Sequence, residues 1–448
     1  MKEKTVLEGT IEKVLFPNKG IMNIDNKIIH VRDTLVGQQL RVELSRRKRK
    51  GMWEGKVLEV LNPEYFKSAD CKYYGQCGGC NLQQLPYEQQ LTHKYTQVKM
   101  LLEDLGEYED LGIVSSPSEF EYRNKMEFSF GNEYKDGPIT LGMHKKRRMY
   151  DIITMDGCKI VNEDFSKILR FILSSLECLP FYDKKTHTGY LRYLLIRKSE
   201  YSGDLLVNLV TSSQVEYDFT NLSEQLTKLD IAGKVIGFLH TLSDTLSDAV
   251  KPESIKIVYG QDYLEEKLLG LTFNISSFSF FQTNTKGAEV LYTTALGLLE
   301  NLNDKVVFDL YSGTGTIAQI VATQARKVYG IEIVEEAVNK ARENATLNKI
   351  NNCTFLVGDV LELVEYLEEN PDIIVLDPPR EGIHPKAIQK IINFRANEIL
   401  YISCKPTSLA RDLVIFKENG YKIEKICCVD MFPQTNHIET ICLLSNNI

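Results

Sequence analysis

Several short stretches of this chain hold side chains that packing alone does not call for. CKYYGQCGGC, Cys71 to Cys80, groups three cysteines with two glycines between the second and third. Thiolates gathered this way bind a soft metal, either an iron–sulfur cluster or a tetrahedral zinc ion, and the spacing leaves both open. DLYSGTGTIA, Asp309 to Ala318, has the form G-x-G-x-x-A between an apolar run and a helical one. Gly313 and Gly315 let the backbone turn tightly and approach a ligand, which on this motif alone could be NAD, FAD or S-adenosylmethionine. The next apolar run ends in Glu332, a carboxylate suited to accept both hydrogen bonds of a ribose diol. The third runs into Gly358 and Asp359, where an acid can meet an adenine or cap a turn. The fourth ends in DPPR, Asp377 to Arg380, and the fifth in YISCKP, with Cys404. Ligands of such sheets lie outside the carboxyl ends of the strands, so Asp377 and Cys404 face one site. A free cysteine is most often a small buried apolar residue, but the strand-end position and the following Pro406 favour a thiol that reaches a ligand. An aromatic after two prolines would stack a base presenting an amino group; Arg380 stands there instead, which argues against an amino nitrogen as the target. Glu439, in FPQTNHIET, reads by itself as a surface acid.

The elements that must position these groups are legible from about residue 285 onward. Helical segments alternate with short, continuous apolar strands: KVVFDLY, KVYGIE, CTFLVG, DIIVLD and EILYISC. Strands buried on both faces read this way in a parallel sheet covered by helices, so a doubly wound, Rossmann-like α/β domain is expected over 271–448. Residues 1–60 read as short strands, GTIEKVLF, GIMNIDNKIIHV, QQLRVELSR and WEGKVLEVL, which fit a small OB-like β-barrel. The cysteine segment fills 61–90. Over 88–106, Leu91, Tyr95, Val98, Leu101 and Leu102 recur at helical spacing until Gly106, giving a helix that could pack on the C-terminal domain. The rest of 91–270 is mixed α/β and hairpin-rich. YLRYLLIRK and DLLVNLVTS flank one turn, EYRNKMEFSFG and ITLGMHKK another.

A chain of 448 residues with 43% apolar and 25% charged side chains is globular and multidomain. MKEKTVLEGT has no apolar signal core, and no run approaches the ~18 residues of a membrane span. A cytoplasmic chain without a membrane partner is therefore expected, and its ten cysteines are not expected to pair as disulfides. A net charge of −8 argues against a general polyanion binder. Two local basic runs, Arg41 to Lys56 and His144 to Arg148, could still hold phosphates, or could be solvated turns.

In order, FFQTN (Phe280 to Asn284), DLYSGTGT, DPPR, SCKPTSLARD and MFPQTNHIET make the chain resemble the RNA 5-methyluridine methyltransferases, the RNA (uracil-5-)-methyltransferase family, over nearly its whole length. The N-terminal strands resemble the TRAM domain. CKYYGQCGGCNLQ resembles the segment that carries three [4Fe–4S] ligands in members acting on 23S rRNA, and Cys158 in GCKIV falls in the place of the fourth. The resemblance implies a class I, S-adenosylmethionine-dependent fold with Cys404 as nucleophile, Glu439 as general base and Asp377 beside the reacting centre. It implies cofactor contacts from Gln282, Tyr311, Gly313, Gly315, Thr316, Glu332, Asp359 and Asp377, although Thr316 stands where some members have Asn. It implies that Cys71, Cys77, Cys80 and Cys158 hold a structural cluster, with zinc as the lesser alternative. Lys405 and Ser408 flank the nucleophile where many members differ. The implied substrate is RNA, with 23S rRNA favoured over tRNA, and the default state is a monomer. Two other readings compete. An iron–sulfur or NAD oxidoreductase would leave DPPR, Cys404 and Glu439 unexplained. A non-catalytic RNA-binding assembly factor would have no need of the Cys404 thiol.

Overall fold

The computed structural model describes residues 5–45, 52–247, 250–363 and 369–446. The centre of the first basic run, 46–51, lies outside the described residues. Among the described residues the strands form four sheets.

The first sheet is six-stranded, built from Val6–Thr10, Lys13–Leu15, Lys19–Ile24, Lys27–Arg32, Gln39–Leu44 and Trp53–Val60. Its core is Ile11, Val14, Met22, Ile29, Val31, Leu40 and Val42. The stretch GIMNIDNKIIHV, which reads as one strand, is a hairpin. Asp25 and Asn26 stand at φ 49° and 58°, as a two-residue turn of the primed type requires.

The second sheet has seven strands in the order Ile152–Thr154, Ile139–His144, Lys125–Asn132, Leu191–Lys198, Leu205–Thr211, Val235–Leu242, Ser254–Gly260. Both expected hairpins are present in antiparallel register. Helix Glu163–Leu176 covers one face, and Asn162 caps it by accepting from the Asp164 N–H. Phe165, Ile168, Leu169, Ile172 and Leu176, at helical spacing, are fully buried beneath it. The hairpin Tyr263–Leu268 and Leu271–Ser276 then leads into FFQTN.

The largest sheet carries the chemistry. Its order is Cys353–Val357, Lys327–Glu332, Val306–Leu310, Ile373–Leu376, Glu398–Ser403, Glu439–Asn446, Tyr421–Val429, Glu109–Val114. The first five run parallel, and Glu439–Asn446 is antiparallel to its neighbours. Alternate residues feed two cores: Val307, Ile373 and Val375 pack on one face, while Phe308, Ile374 and Leu376 pack on the other. Burial on both faces is what made these strands continuous apolar runs. The chain order reverses between Val306–Leu310 and Ile373–Leu376, the switch point at which such sheets bind ligands. One element joins from upstream. Glu109–Val114 pairs parallel with Tyr421–Val429 at the sheet's edge, and helix Tyr87–Leu102 packs beside it. Among the described residues no helix is long and apolar enough to cross a membrane.

Candidate active site

The glycine turn follows directly from its sequence. Tyr311, Gly313 and Gly315 all adopt positive φ (70°, 53° and 74°) as the strand end bends into helix Thr316–Ala322. At Gly315 a Cβ would lie 2.6 Å from the Phe355 ring and 2.8 Å from the Ala341 Cβ, so only glycine fits. At Gly313 a Cβ would meet nothing within 4 Å: the backbone there borders open space. Glu332 ends the next strand, and its carboxylate accepts from the Gly313 N–H (3.1 Å) and the Val334 N–H (2.9 Å), tying the turn to the neighbouring strand. Tyr311 and Asp359 lie near each other. Burial first, then the Asp359 and Asp412 charges, push the Tyr311 hydroxyl up to about 12. Thr316 is the first residue of the helix that Gly315 caps.

FFQTN crosses the same edge. Asn284 caps helix Thr285–Leu296 by accepting from the Gly287 N–H (2.9 Å) and donates to the Met431 carbonyl (2.8 Å). The Asn124 amide holds the Gln282 carbonyl (3.1 Å), and the Gln282 side chain bonds the buried Tyr292 hydroxyl. Phe280 projects beside the glycine turn with 69% of its surface exposed, and its carbonyl accepts from Thr314.

At the carboxyl ends of the fourth and fifth strands, Asp377, Arg380 and Cys404 come together with Glu439. Cys404 sits between Ser403, the last strand residue, and Pro406, the first residue of helix Pro406–Glu418. Glu439, which reads locally as a surface acid, is only 4% exposed. Its partners come from distant strands, so nothing near it in the sequence signals burial. Burial pushes the Cys404 thiol up to about 12; the Glu439 and Asp377 carboxylates add to the rise and Arg380 opposes it. Burial, with Asp377 beside it, raises Glu439 to about 8, while Arg380 opposes. Burial raises Asp377 to about 7. Ser408 donates to the Arg380 carbonyl (2.8 Å), and Asp412 accepts from the Ile383 N–H (2.9 Å) and the Tyr401 hydroxyl (2.8 Å), so the segment after DPP is fixed by the helix that follows Cys404.

Sequence reasoning passed over Asp309. It is 1% exposed, no side chain hydrogen-bonds its carboxylate, and the Ala318 main-chain N–H is the donor that acts on it. Burial, then the Asp377 and Glu332 charges, hold its carboxyl well above the usual carboxylate range. The available signal was an acid inside an otherwise apolar strand. Four acids, Asp309, Glu332, Asp377 and Glu439, thus crowd one edge of the sheet. Such a site suits a cationic ligand and disfavours a pyrophosphate.

The four expected metal ligands come from the segment before helix Tyr87–Leu102 and from the turn before helix Glu163–Leu176. Burial first raises Cys80 to about 12 and Cys158 to about 11, and each is raised further by Cys71 and Cys77. The four thiols are therefore neighbours, yet among the described residues no group of three or more His, Cys, Asp or Glu side chains is arranged to hold a metal ion. The segment touches its surroundings through the main chain and through the Tyr73 hydroxyl, which donates to the Asp156 carbonyl (3.2 Å). Gly78 N–H donates to the His144 carbonyl (3.2 Å), and Asn81 and Leu82 N–H donate to the Gln434 carbonyl (2.9 and 3.0 Å). The second basic run is tied to acids: Lys145 to Glu133 (3.0 Å), Lys146 and Arg147 to Asp33 (3.6 and 2.6 Å), and Arg148 to Asp151 (4.0 Å). Arg147 also borders a recess of about 150 Å³ with His30, Arg32 and Lys56 of the first sheet.

The tRNA (uracil-5-)-methyltransferase family model matches residues 86–447. The chain is similar to an uncharacterized RNA methyltransferase of Caldanaerobacter subterraneus subsp. tengcongensis, 45% identical over 100% of both chains. It is also similar to one of Clostridium tetani, 45% identical over 98% of each. Among solved structures it resembles the Pyrococcus abyssi tRNA (uracil-54, C5)-methyltransferase in complex with S-adenosyl-L-homocysteine. That match has a TM-score of 0.74 and 26% identity over 98% of this chain and 100% of that one. With the family model spanning most of the sequence and relatives matching it end to end, this chain belongs to the tRNA (uracil-5-)-methyltransferase family of RNA methyltransferases.

Proposed function

We propose that this protein methylates carbon 5 of a uridine in 23S rRNA, with S-adenosylmethionine as donor and a covalent bond between Cys404 and carbon 6 of the uracil as intermediate. The observation that carries the reading is the convergence of Cys404, Glu439 and Asp377 at one edge of the sheet, beside the glycine turn. The buried Asp309, which no side chain hydrogen-bonds, and its acidic neighbours fit a cation, and the open space at Gly313 leaves room for a ligand against the backbone. Tyr311, Thr316, Glu332, Asp359 and Gln282 would complete the cofactor site. S-adenosylmethionine supplies an electrophilic methyl group on a positively charged sulfur.

Carbon 5 of uracil is a weak nucleophile. Addition of the Cys404 thiolate at carbon 6 moves electrons toward carbon 5 and oxygen 4, which lets carbon 5 take the methyl group. Carbon 5 then bears both methyl and proton. Glu439 takes that proton, the electrons of the carbon–hydrogen bond restore the ring double bond, and the carbon–sulfur bond breaks with its pair returning to Cys404. Burial first, and then its acidic neighbours, hold free Cys404 as a thiol, so Arg380 and the incoming cation work toward the thiolate. A paired uridine cannot enter such a site, so the target is unpaired or flipped out. Exposed Phe280 offers a face for a base at the entrance.

In this reading 1–60 is a TRAM-like RNA-binding barrel, 61–90 the cluster segment, 91–270 a central RNA-binding domain and 271–448 the methyltransferase domain, onto which helix Tyr87–Leu102 packs. The protein works in the cytoplasm in this reading. Cys71, Cys77, Cys80 and Cys158 would hold a [4Fe–4S] cluster in a structural role. Zinc, which four thiolates also hold, is the lesser alternative. Iron, sulfide and zinc analysis of protein purified without oxygen tests this; stoichiometric zinc and no sulfide would reverse it.

A second reading, tRNA, is favoured by one observation: the tRNA (uracil-54, C5) enzyme of P. abyssi matches 98% of this chain, so full-length architecture does not separate the two RNAs. Incubating a large-subunit rRNA transcript and a tRNA transcript with protein and S-adenosylmethionine, then measuring 5-methyluridine by mass spectrometry of the digested nucleosides, decides between them. Methylation of tRNA alone would replace the rRNA reading.

A further inference from the structure

We infer that helix Tyr87–Leu102 belongs to the deprotonation machinery: Gln90 and Lys94 are positioning residues that hold the loop 430–438 so that Glu439 meets the reacting carbon. This rests on Glu439 being the base. The loop joins strand Tyr421–Val429 to Glu439–Asn446 and is far longer than a tight turn. At its middle Gln434 stands at φ 70°, a conformation that a residue with a side chain keeps only when its surroundings impose it.

Those surroundings come from outside the domain's own helices. Gln90, fully buried, accepts from the Gln434 main-chain N–H (2.9 Å) through Oε1 and donates through Nε2 to the Gln434 side-chain oxygen (2.9 Å), a two-point grip of one amide on another. One helical turn on, Lys94 Nζ donates to Asp430 Oδ1 (2.7 Å) and to the Phe432 carbonyl (3.0 Å), with side-chain exposures of 1% and 0% for the ion pair. Burying an ion pair gains little stability over an apolar pair of the same size, so its use at this junction points to specifying one loop geometry. A third anchor is the Tyr122 hydroxyl, which donates to the Pro433 carbonyl (2.9 Å). Beyond the clamp the loop reaches the reacting groups. His437 Nδ1 lies 3.4 Å from Arg380, whose charge acts on both Cys404 and Glu439.

Cys404 is carried between strand Glu398–Ser403 and helix Pro406–Glu418, outside the loop, so loosening the loop bears most on the step in which Glu439 takes the carbon-5 proton and reaches Cys404 only through His437 and Arg380. The methylated Cys404–uracil adduct then accumulates. The test uses the full-length protein, labelled S-adenosylmethionine and a transcript the enzyme methylates, with adduct read as label comigrating with protein and RNA on a denaturing gel. Gln90→Met is expected to lower turnover about tenfold and raise the adduct fraction by a similar factor, with single-turnover methyl transfer changed less than about twofold. Tyr122→Phe, which removes one hydroxyl and keeps the ring, is expected to act in the same direction and decides the matter if Gln90→Met does not fold. Turnover and methyl transfer falling together without adduct, or no change in either variant, would overturn the inference. Glu439→Gln is the control. If it traps adduct and the clamp variants do not, the clamp is wrong. If it traps none, the base assignment itself fails, and the inference with it.

Discussion

Binding of S-adenosylmethionine should release protons, and the amount can be worked from the site. Burial holds Asp377 at about 7 and Glu439 at about 8, so at pH 6 both are largely neutral in the free protein. A sulfonium among these groups favours their charged forms. If binding brings both to full ionisation, raising the pH from 6 to 8 tightens binding about tenfold through Asp377 and about fiftyfold through Glu439. S-adenosylhomocysteine, with a neutral sulfur, should show a much shallower dependence. Asp377→Asn should remove its own tenfold share and, by taking away a charge that raises Glu439, shrink the rest. Titration calorimetry at pH 6, 7 and 8, repeated in buffers of different ionisation enthalpy, measures the affinity and counts the protons. The same groups set the stability of the free protein. Both acids have folded values above their unfolded ones, so their contribution is complete below about pH 4 and is lost as the pH rises through 7 and 8. The thermal shift on adding S-adenosylmethionine should therefore be larger at pH 8.5 than at pH 6. Equal pH slopes for the sulfonium and the thioether, or proton uptake on binding, would refute the reasoning.

Three further outcomes are expected. Lys94→Met strands the buried Asp430 carboxylate and should cost about 3–5 kcal/mol in urea unfolding, most of it recovered by adding Asp430→Asn; a cost under about 1 kcal/mol would show that Asp430 finds another partner. Gly315→Ala combines a left-handed backbone with a Cβ 2.6 Å from Phe355, and should cost at least about 1–2 kcal/mol and abolish cofactor binding; Gly313→Ala, which meets no neighbour, should cost only the backbone part, and both are read by melting and cofactor titration. Arg380→Ala removes the charge that favours the Cys404 thiolate, so iodoacetamide labelling of Cys404 at pH 8.5 should slow about threefold or more, with Cys404→Ala as the background; faster labelling would contradict the electrostatic reading of the site.

What could be read in advance follows from where each constraint lies along the chain. The parallel strands were legible because burial on both faces writes itself locally as unbroken apolar runs, as in Ile373–Leu376. Their carboxyl ends then placed Asp377, Cys404 and Glu332 at one edge. Glu109–Val114 was not legible. EDLGIV is half polar, holds Gly112 at φ 75°, and is a strand only because Tyr421–Val429 offers it an edge. The Asp25–Asn26 turn did carry a local signal, and it was passed over inside a longer apolar stretch. Glu439 and Lys94 show the opposite limit. Glu439 reads as a surface acid in its own segment and Lys94 is a charge on the apolar stripe of its helix, and each is buried by partners hundreds of positions away or on another strand: Asp430 for Lys94, and Cys404 with Asp377 for Glu439.

The central claim is methylation of uracil carbon 5 through the Cys404 thiol. Transcripts carrying tritium at carbon 5 of uridine, incubated with the protein and S-adenosylmethionine, test it by the tritium that reaches water. Release that needs the cofactor and disappears in Cys404→Ala is the expected result. No release from either an rRNA or a tRNA substrate, by protein that binds the cofactor, would contradict it.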